Sequence, residues 1–174
     1  FGGVFAGSLN LVKAGNSTAT FDSVNTLTGA VQVRDGTIRL LQNGAFSNAS
    51  SIGAFFGTYN IDNSGFWSSA NRIADSTPLT FQGGGLTLTG GYGLANTETL
   101  GTTTVLQGYT AFTATPGTNG SAALTLSNLL RSAGSVINFA GNNALGQTGL
   151  NTSQILLNQV NGATPVLTNN ILGP

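Results

Sequence analysis

The stretch Ser8–Leu41, SLNLVKAGNSTATFDSVNTLTGAVQVRDGTIRLL, decides the fold. Leu9 and Leu11 alternate with polar residues, and Ala14-Gly15-Asn16 makes a turn. Ala19 and Phe21 alternate again before a polar bend holding Asn25 and Gly29. Val31 and Val33 follow, then a break at Asp35-Gly36, then Ile38 and Leu40. Period-two alternation over a few residues, bounded each time by Gly, Asn or Asp, reads as a string of short strands. None is long enough to form a stable sheet alone. Stacked as successive coils, their inward apolar residues would form one continuous column, the logic of a β-solenoid.

The same alternation runs outward from this stretch. Residues 1–7 read as a short strand or the tail of a preceding coil, and residues 42–54 as a turn-rich passage with a tight turn at Asn43-Gly44. Residues 55–61, FFGTYNI, form a strand with Tyr59 and Ile61 on one face. The polar loop Asp62-Asn-Ser-Gly65 then leads to Trp67. Strands return at Arg72–Ile73, Leu79–Phe81 and Leu86–Leu88, with Gly83-Gly84-Gly85 as a bend. Thr97–Leu106, broken by Gly101, then Tyr109–Thr115, Ala122–Leu130 and Val136–Phe139 continue the pattern, with residues 154–160 and 166–171 closing it. Helical periodicity is nearly absent; only Ser127–Ser132 and Ser153–Asn158 accommodate a helical turn. Phe5, Phe21, Phe81, Phe112 and Phe139 lie in alternating strands and are expected in the core.

The predicted architecture is therefore all-β, a right-handed parallel β-helix (solenoid) forming one domain over 1–174, with the β-strand repeat in 1–54 and further coils of the same solenoid in 55–174. An antiparallel β-sandwich in the second half is the alternative, because short strands and frequent turns also suit that class. Coils of roughly 20 residues would give about eight, a column about 40 Å long at about 4.8 Å per coil.

Composition bounds the function. Five basic and five acidic residues leave no net charge, and charged residues are 6% of the chain, which removes the electrostatic attraction that nucleic acid or an anionic membrane requires. Cysteine and histidine are absent, so a Ser-His-Asp triad, a cysteine nucleophile and an ordinary zinc site are excluded. No run approaches the roughly 18 apolar residues of a membrane span. Asp22, Asp35, Asp62, Asp75 and Glu98 are the carboxylates available for glycoside hydrolysis. If coils stack, Asp22 with Asp35 or Asp62 with Asp75 are the pairs that could meet, but an aspartate at a turn needs no catalytic role. Asp62-Asn-Ser-Gly65 lacks the later bidentate Glu of a calcium loop and reads as an Asx-turn. No catalytic residue, cofactor or metal is assigned, and the chain is read as not an enzyme. Aromatic residues are the stronger lead: Tyr59, Phe66, Trp67, Tyr92 and Tyr109 could stack on sugars if exposed, and Tyr59, Trp67, Tyr92 and Tyr109 are the residues expected to contact a glycan or partner.

The opening also resembles a family, the autotransporter-associated β-strand repeat of very large bacterial surface proteins. The likeness is carried by Leu9-Asn-Leu-Val-Lys13 with Gly15, by Thr20-Phe21, by Asn25-Thr-Leu-Thr-Gly29 and by Val31-Gln-Val-Arg-Asp-Gly-Thr-Ile-Arg-Leu40. Further on, Asp62-Asn-Ser-Gly65, Asn71-Arg-Ile-Ala-Asp-Ser76, Leu79-Thr-Phe-Gln-Gly-Gly84, Glu98-Thr-Leu-Gly101 and Leu124-Thr-Leu-Ser-Asn-Leu-Leu-Arg131 are similar to the segments that follow it. The resemblance implies a parallel β-helix in an exported extracellular or cell-surface protein, of which this chain is a segment, with no catalytic signature. The function expected is structural, a self-associating segment of a fibre, stalk or surface layer whose partners are copies of itself. An adhesin or carbohydrate-binding module is the alternative, with a cell-surface glycan as partner.

Overall fold

The computed structural model describes residues 1–65, 68–141, 144–168 and 171–172. They form an all-β structure of parallel sheets, without helix. The chain runs in circuits. The first contains β1 (Ala6–Gly7), β2 (Leu11–Lys13) and β3 (Thr18–Phe21), and β4 (Thr26–Leu27) opens the second. Four pairs of strands follow: β5 (Ala30–Val33) and β6 (Thr37–Leu41), β7 (Ser51–Phe55) and β8 (Thr58–Asp62), β9 (Leu79–Gln82) and β10 (Gly85–Thr89), β11 (Ala95–Val105) and β12 (Gly108–Thr115). Then come β13 (Ser121–Arg131), β14 (Ser135–Gly141), β15 (Ala144–Leu145), β16 (Thr152–Leu157), β17 (Leu167–Thr168) and β18 (Ile171–Leu172).

Strands of successive circuits lie side by side. One sheet has six strands in the order β14-β12-β10-β8-β6-β3, the other eight in the order β15-β16-β13-β11-β9-β7-β5-β2. Every pairing in both is parallel. A third strip is made by β1 on β4 and by the parallel bridges Val24↔Ala45 and Phe46↔Ile73. This arrangement is consistent with a β-helix-like fold. The antiparallel sandwich expected as an alternative for the second half is not formed: β11–β13, β12–β14 and β13–β16 are all parallel. Among the described residues only β17–β18 and the Val160↔Ala163 bridge run antiparallel. Parallel pairing requires a crossover longer than a hairpin turn, and each circuit supplies one by passing through the other sheet.

Register turns alternation into a core. In the six-stranded sheet Ala19, Ile38, Tyr59, Leu86, Phe112 and Phe139 lie in one cross-strand row, and Phe21, Leu40, Ile61, Leu88 and Ala114 in the next but one. In the eight-stranded sheet Val33, Ala54, Phe81 and Val105 form such a row. Phe81 and Phe112 meet across the two sheets edge to face at 5.1 Å. Phe21, Phe81 and Phe112 are buried as expected, while Phe5 and Phe139 are partly buried against the same cluster. Leu9, read as inward, is 40% exposed because β2 begins only at Leu11.

Circuit length departs from the expected 20 residues. Leu11 faces Val31, an offset of 20, but Ile52 faces Leu79, an offset of 27, and Ser121 faces Thr152, an offset of 31. Loops absorb the extra residues while the strands keep register, so the six-stranded sheet spans only about 24 Å at about 4.8 Å per step. The two segments that could have held a helical turn are strand: Ser127–Arg131 lies within β13 and Ser153–Leu157 within β16. Strands β11 and β13 are long because each turns a corner unbroken. Pairing runs through Leu100↔Leu126, skips Gly101, and resumes at Thr102↔Asn128. A Cβ on Gly101 would lie 2.4 Å from the Thr77 carbonyl oxygen, so no side chain fits the bend.

Leu126 is fully buried between Leu100 and Leu157 in the ladder, and its neighbour Thr125 faces outward. Leu126→Ala is expected to lower unfolding free energy by about 2–5 kcal/mol, and Leu126→Asp to abolish cooperative folding by burying an unpaired charge. Thr125→Ala should change stability by less than about 1 kcal/mol. Urea unfolding followed by circular dichroism measures all three.

Candidate functional site

The expected aromatic contacts do not gather. Tyr59 is inside the core, contrary to the sugar-stacking role read from the sequence. It has the inward parity of Ile61, is fully buried, and its hydroxyl donates to the carbonyls of Val31 at 3.0 Å and Gly53 at 3.3 Å. Burial pushes the phenol well above its ordinary pKa. Tyr92 and Tyr109 are exposed, at 73% and 56%. Tyr92 lines a shallow pocket with Ser64, Gly65 and Leu94, whereas Tyr109 opens β12 beside Val136 on β14. Trp67, with Phe66, lies outside the described residues.

The carboxylates also stay apart. Asp62 is in register with Leu41 and Thr89, not with Asp75. Asp22 follows the end of β3, while Asp35 sits in the β5–β6 turn. Among the described residues no three His, Cys, Asp or Glu side chains come together as a metal site. Asp62 makes the expected Asx-turn, its Oδ1 accepting from the Ser64 N–H at 2.8 Å. Its Oδ2 holds Arg39 at 2.6 Å. Burial alone would raise this carboxyl, but the Ser64 hydrogen bonds and the Arg39 guanidinium outweigh it and hold it below the usual carboxylate range.

A second polar cluster, not anticipated from the sequence, is buried under the third strip. Arg72 is fully buried. Its Nε and Nη2 donate to Asn63 Oδ1 at 3.0 and 2.7 Å, and its Nη1 donates to the Gly44 carbonyl at 2.7 Å. Glu98, 2% exposed, accepts from the backbone N–H groups of Ile73 at 3.0 Å and Arg72 at 3.3 Å. Here the neighbouring circuit offers a side chain where elsewhere it offers a strand, and the carboxylate replaces the missing carbonyls. Since a buried N–H without a partner costs about 1–3 kcal/mol, the cluster holds the segment at Arg72–Ile73 onto the ladder. Its burial excludes substrate, so its chemistry is structural. Spacing could not reveal it, because 25 residues separate Ile73 from Glu98.

Two surface features are accessible. The first is the end of the stack. β2 and β3 pair on one side only, with β5 and β6, and β14 pairs only with β12. Val4, Val12 and Leu9 are exposed at the first circuit, at 58%, 50% and 40%. The second is the corner between the two sheets. In five of its circuits the left-handed residue is glycine: Gly15, Gly36, Gly83 with Gly84, Gly108 and Gly134, with φ between 66° and 80°. This column was legible as a glycine recurring once per circuit, and only two of these breaks, at Gly15 and Gly36, belong to the opening repeat.

A scan against family models and searches of curated proteins and of solved structures find no match to this chain.

Glu98 also sets a pH dependence. Burial pushes its carboxyl up to about 7 from an ordinary value of 4.5, against the lowering effect of the backbone N–H groups and Arg72. The folded state therefore binds the proton more tightly than the unfolded one. Stability from this group is full below pH 4.5 and is lost as pH rises to about 7. Glu98→Gln should flatten that window. At pH 7 it should also cost about 1–3 kcal/mol, since the amide nitrogen would face a backbone N–H. Urea midpoints between pH 4.5 and 8 test both.

Proposed function

We propose that the chain is a right-handed parallel β-helix and serves as a structural, self-associating segment of an extracellular or cell-surface fibre, stalk or layer. The handedness rests on the strong preference of parallel crossovers for that hand. The observation that carries the function is the pair of open sheet edges. β2 presents an unpaired outer edge at one end, where β3 is met only by Phe1, whose ammonium donates to the Thr20 carbonyl at 2.6 Å, and β14 presents one at the other. Strand direction is the same throughout. A second copy placed head to tail would continue the ladder without reversing polarity. Such a contact is heterologous and does not close on itself, so it propagates.

The absence of net charge supports close packing of copies, since no like charges have to be brought together. The resemblance to the autotransporter-associated β-strand repeat supports the location at the cell surface. No helix among the described residues is long and apolar enough to cross a membrane.

Electron microscopy of the purified protein at neutral pH, paired with sedimentation velocity, tests this reading. Filaments with an axial rise of about 29–38 Å per subunit are expected, from the six and eight strands of the two sheets at about 4.8 Å. Val12→Lys with Thr18→Lys, outward positions on the edge strands β2 and β3, should keep the fold and abolish filaments. Dispersed particles of the unmodified protein at every concentration would overturn it.

A further inference from the structure

At the β7–β8 corner the left-handed residue is not glycine. Phe56 takes φ 70° there and is 73% exposed. The other non-glycine residues with positive φ among the described residues are four asparagines, Asn71, Asn119, Asn151 and Asn161, and one glutamine, Gln42. Asparagine tolerates this conformation and a bulky aromatic does not. Strain of this kind clusters at active sites and ligand clamps.

The surroundings say what use. A Cβ on Gly83 would lie 2.9 Å from Phe56 Cδ1, so the Phe56 ring leans over the bare backbone of the next circuit. One residue earlier, a Cβ on Gly53 would lie 2.7 Å from Phe55 Cε2, so that ring lies across a glycine as well. Two adjacent rings are thus laid on glycines. Gln32, Arg34 and Gln82 complete an open cleft with them. Gln82 is the ladder partner of Phe55, and Gln32 that of Gly53.

We infer that this cleft binds a pyranose residue of an acidic glycan. A sugar ring has an apolar C–H face that stacks on aromatic rings, and an edge of hydroxyls that primary amides can both donate to and accept from. Among the described residues no group hydrogen-bonds the Gln82 amide, and Gln32 is engaged only through its Oε1, by Arg34 Nη2 at 3.5 Å. Arg34 is exposed and has no carboxylate partner among the described residues, and its guanidinium fork fits a uronate carboxylate. The Oδ1 of Asp35, next to Arg34 in sequence, accepts from the Gly36 N–H at 2.7 Å. A nucleic-acid strand would also stack on the rings, but one arginine in a chain of five basic residues cannot neutralise a phosphate backbone.

This site is independent of end-to-end association, because it lies on the side of the stack. Calorimetric titration with tetragalacturonate, and with uncharged maltotetraose as comparison, tests it. Saturable binding of tetragalacturonate is expected. Phe56→Ala and Gln82→Ala should each weaken it at least tenfold, and Arg34→Gln should remove the preference over maltotetraose. Phe56→Gly should weaken binding equally while raising the melting midpoint by about 2–4 °C, through release of the backbone strain. Absence of binding, binding unaffected by Phe56→Ala, or equal affinity for maltotetraose in the unmodified protein would overturn the assignment. So would a lower midpoint in Phe56→Gly.

Discussion

Everything in this structure depends on the hydrogen-bonded register between one circuit of the chain and the next. The strands do not persist alone, and from β1 to β14 their ladder partners lie 19 to 31 residues away, as in Thr18↔Thr37 and Ser121↔Thr152. Register fixes parity, and parity decides which side chains enter the column. The rows Ile38–Tyr59–Leu86–Phe112 and Val33–Ala54–Phe81–Val105 exist only because no circuit slips by one residue. Each buried apolar side chain in them contributes about 1.5–3 kcal/mol relative to exposure, so a single slip would turn the whole column outward.

The corners are what allow register to survive unequal circuit lengths. Glycine provides the left-handed residue between the sheets. Asparagine ties corners of adjacent circuits together: Asn10 accepts from the Ala30 N–H at 2.7 Å, Asn25 from Phe5 at 3.0 Å, Asn151 from Asn119 at 2.7 Å and Asn161 from Arg131 at 3.0 Å. Where a circuit lengthens to 27 residues and its third strand is reduced to the single bridge at Ile73, the Glu98 carboxylate and the Arg72–Asn63 pair take over the backbone's role. A neutral, amide-rich composition therefore serves the fold as well as the surface.

The strands, their inward residues and the turn at Asp62 were legible in the sequence because alternation and turn chemistry are local. The position of Tyr59 was legible too, since its parity matches Ile61, yet an aromatic lead drew it toward the surface. Circuit length was not legible beyond Leu41: insertions in loops leave the strand pattern intact and hide the offset. Pairing direction was read as parallel, with an antiparallel alternative kept for the second half because short alternating strands also suit antiparallel sheets. The Phe55–Phe56 cleft escaped notice for another reason. Its significance lies in a backbone angle and in two glycines, Gly53 and Gly83, one of them on the next circuit.

Hydrogen–deuterium exchange resolved to single amides tests the register most directly. Amides of β5 to β12 have their partners one circuit away, on strands flanked on both sides by other circuits in each sheet. They are expected to exchange together, at the rate of global unfolding, while amides on the open edge of β2 exchange orders of magnitude faster. Independent exchange of neighbouring strands in the middle circuits, or protection confined to segments adjacent in sequence, would contradict this register.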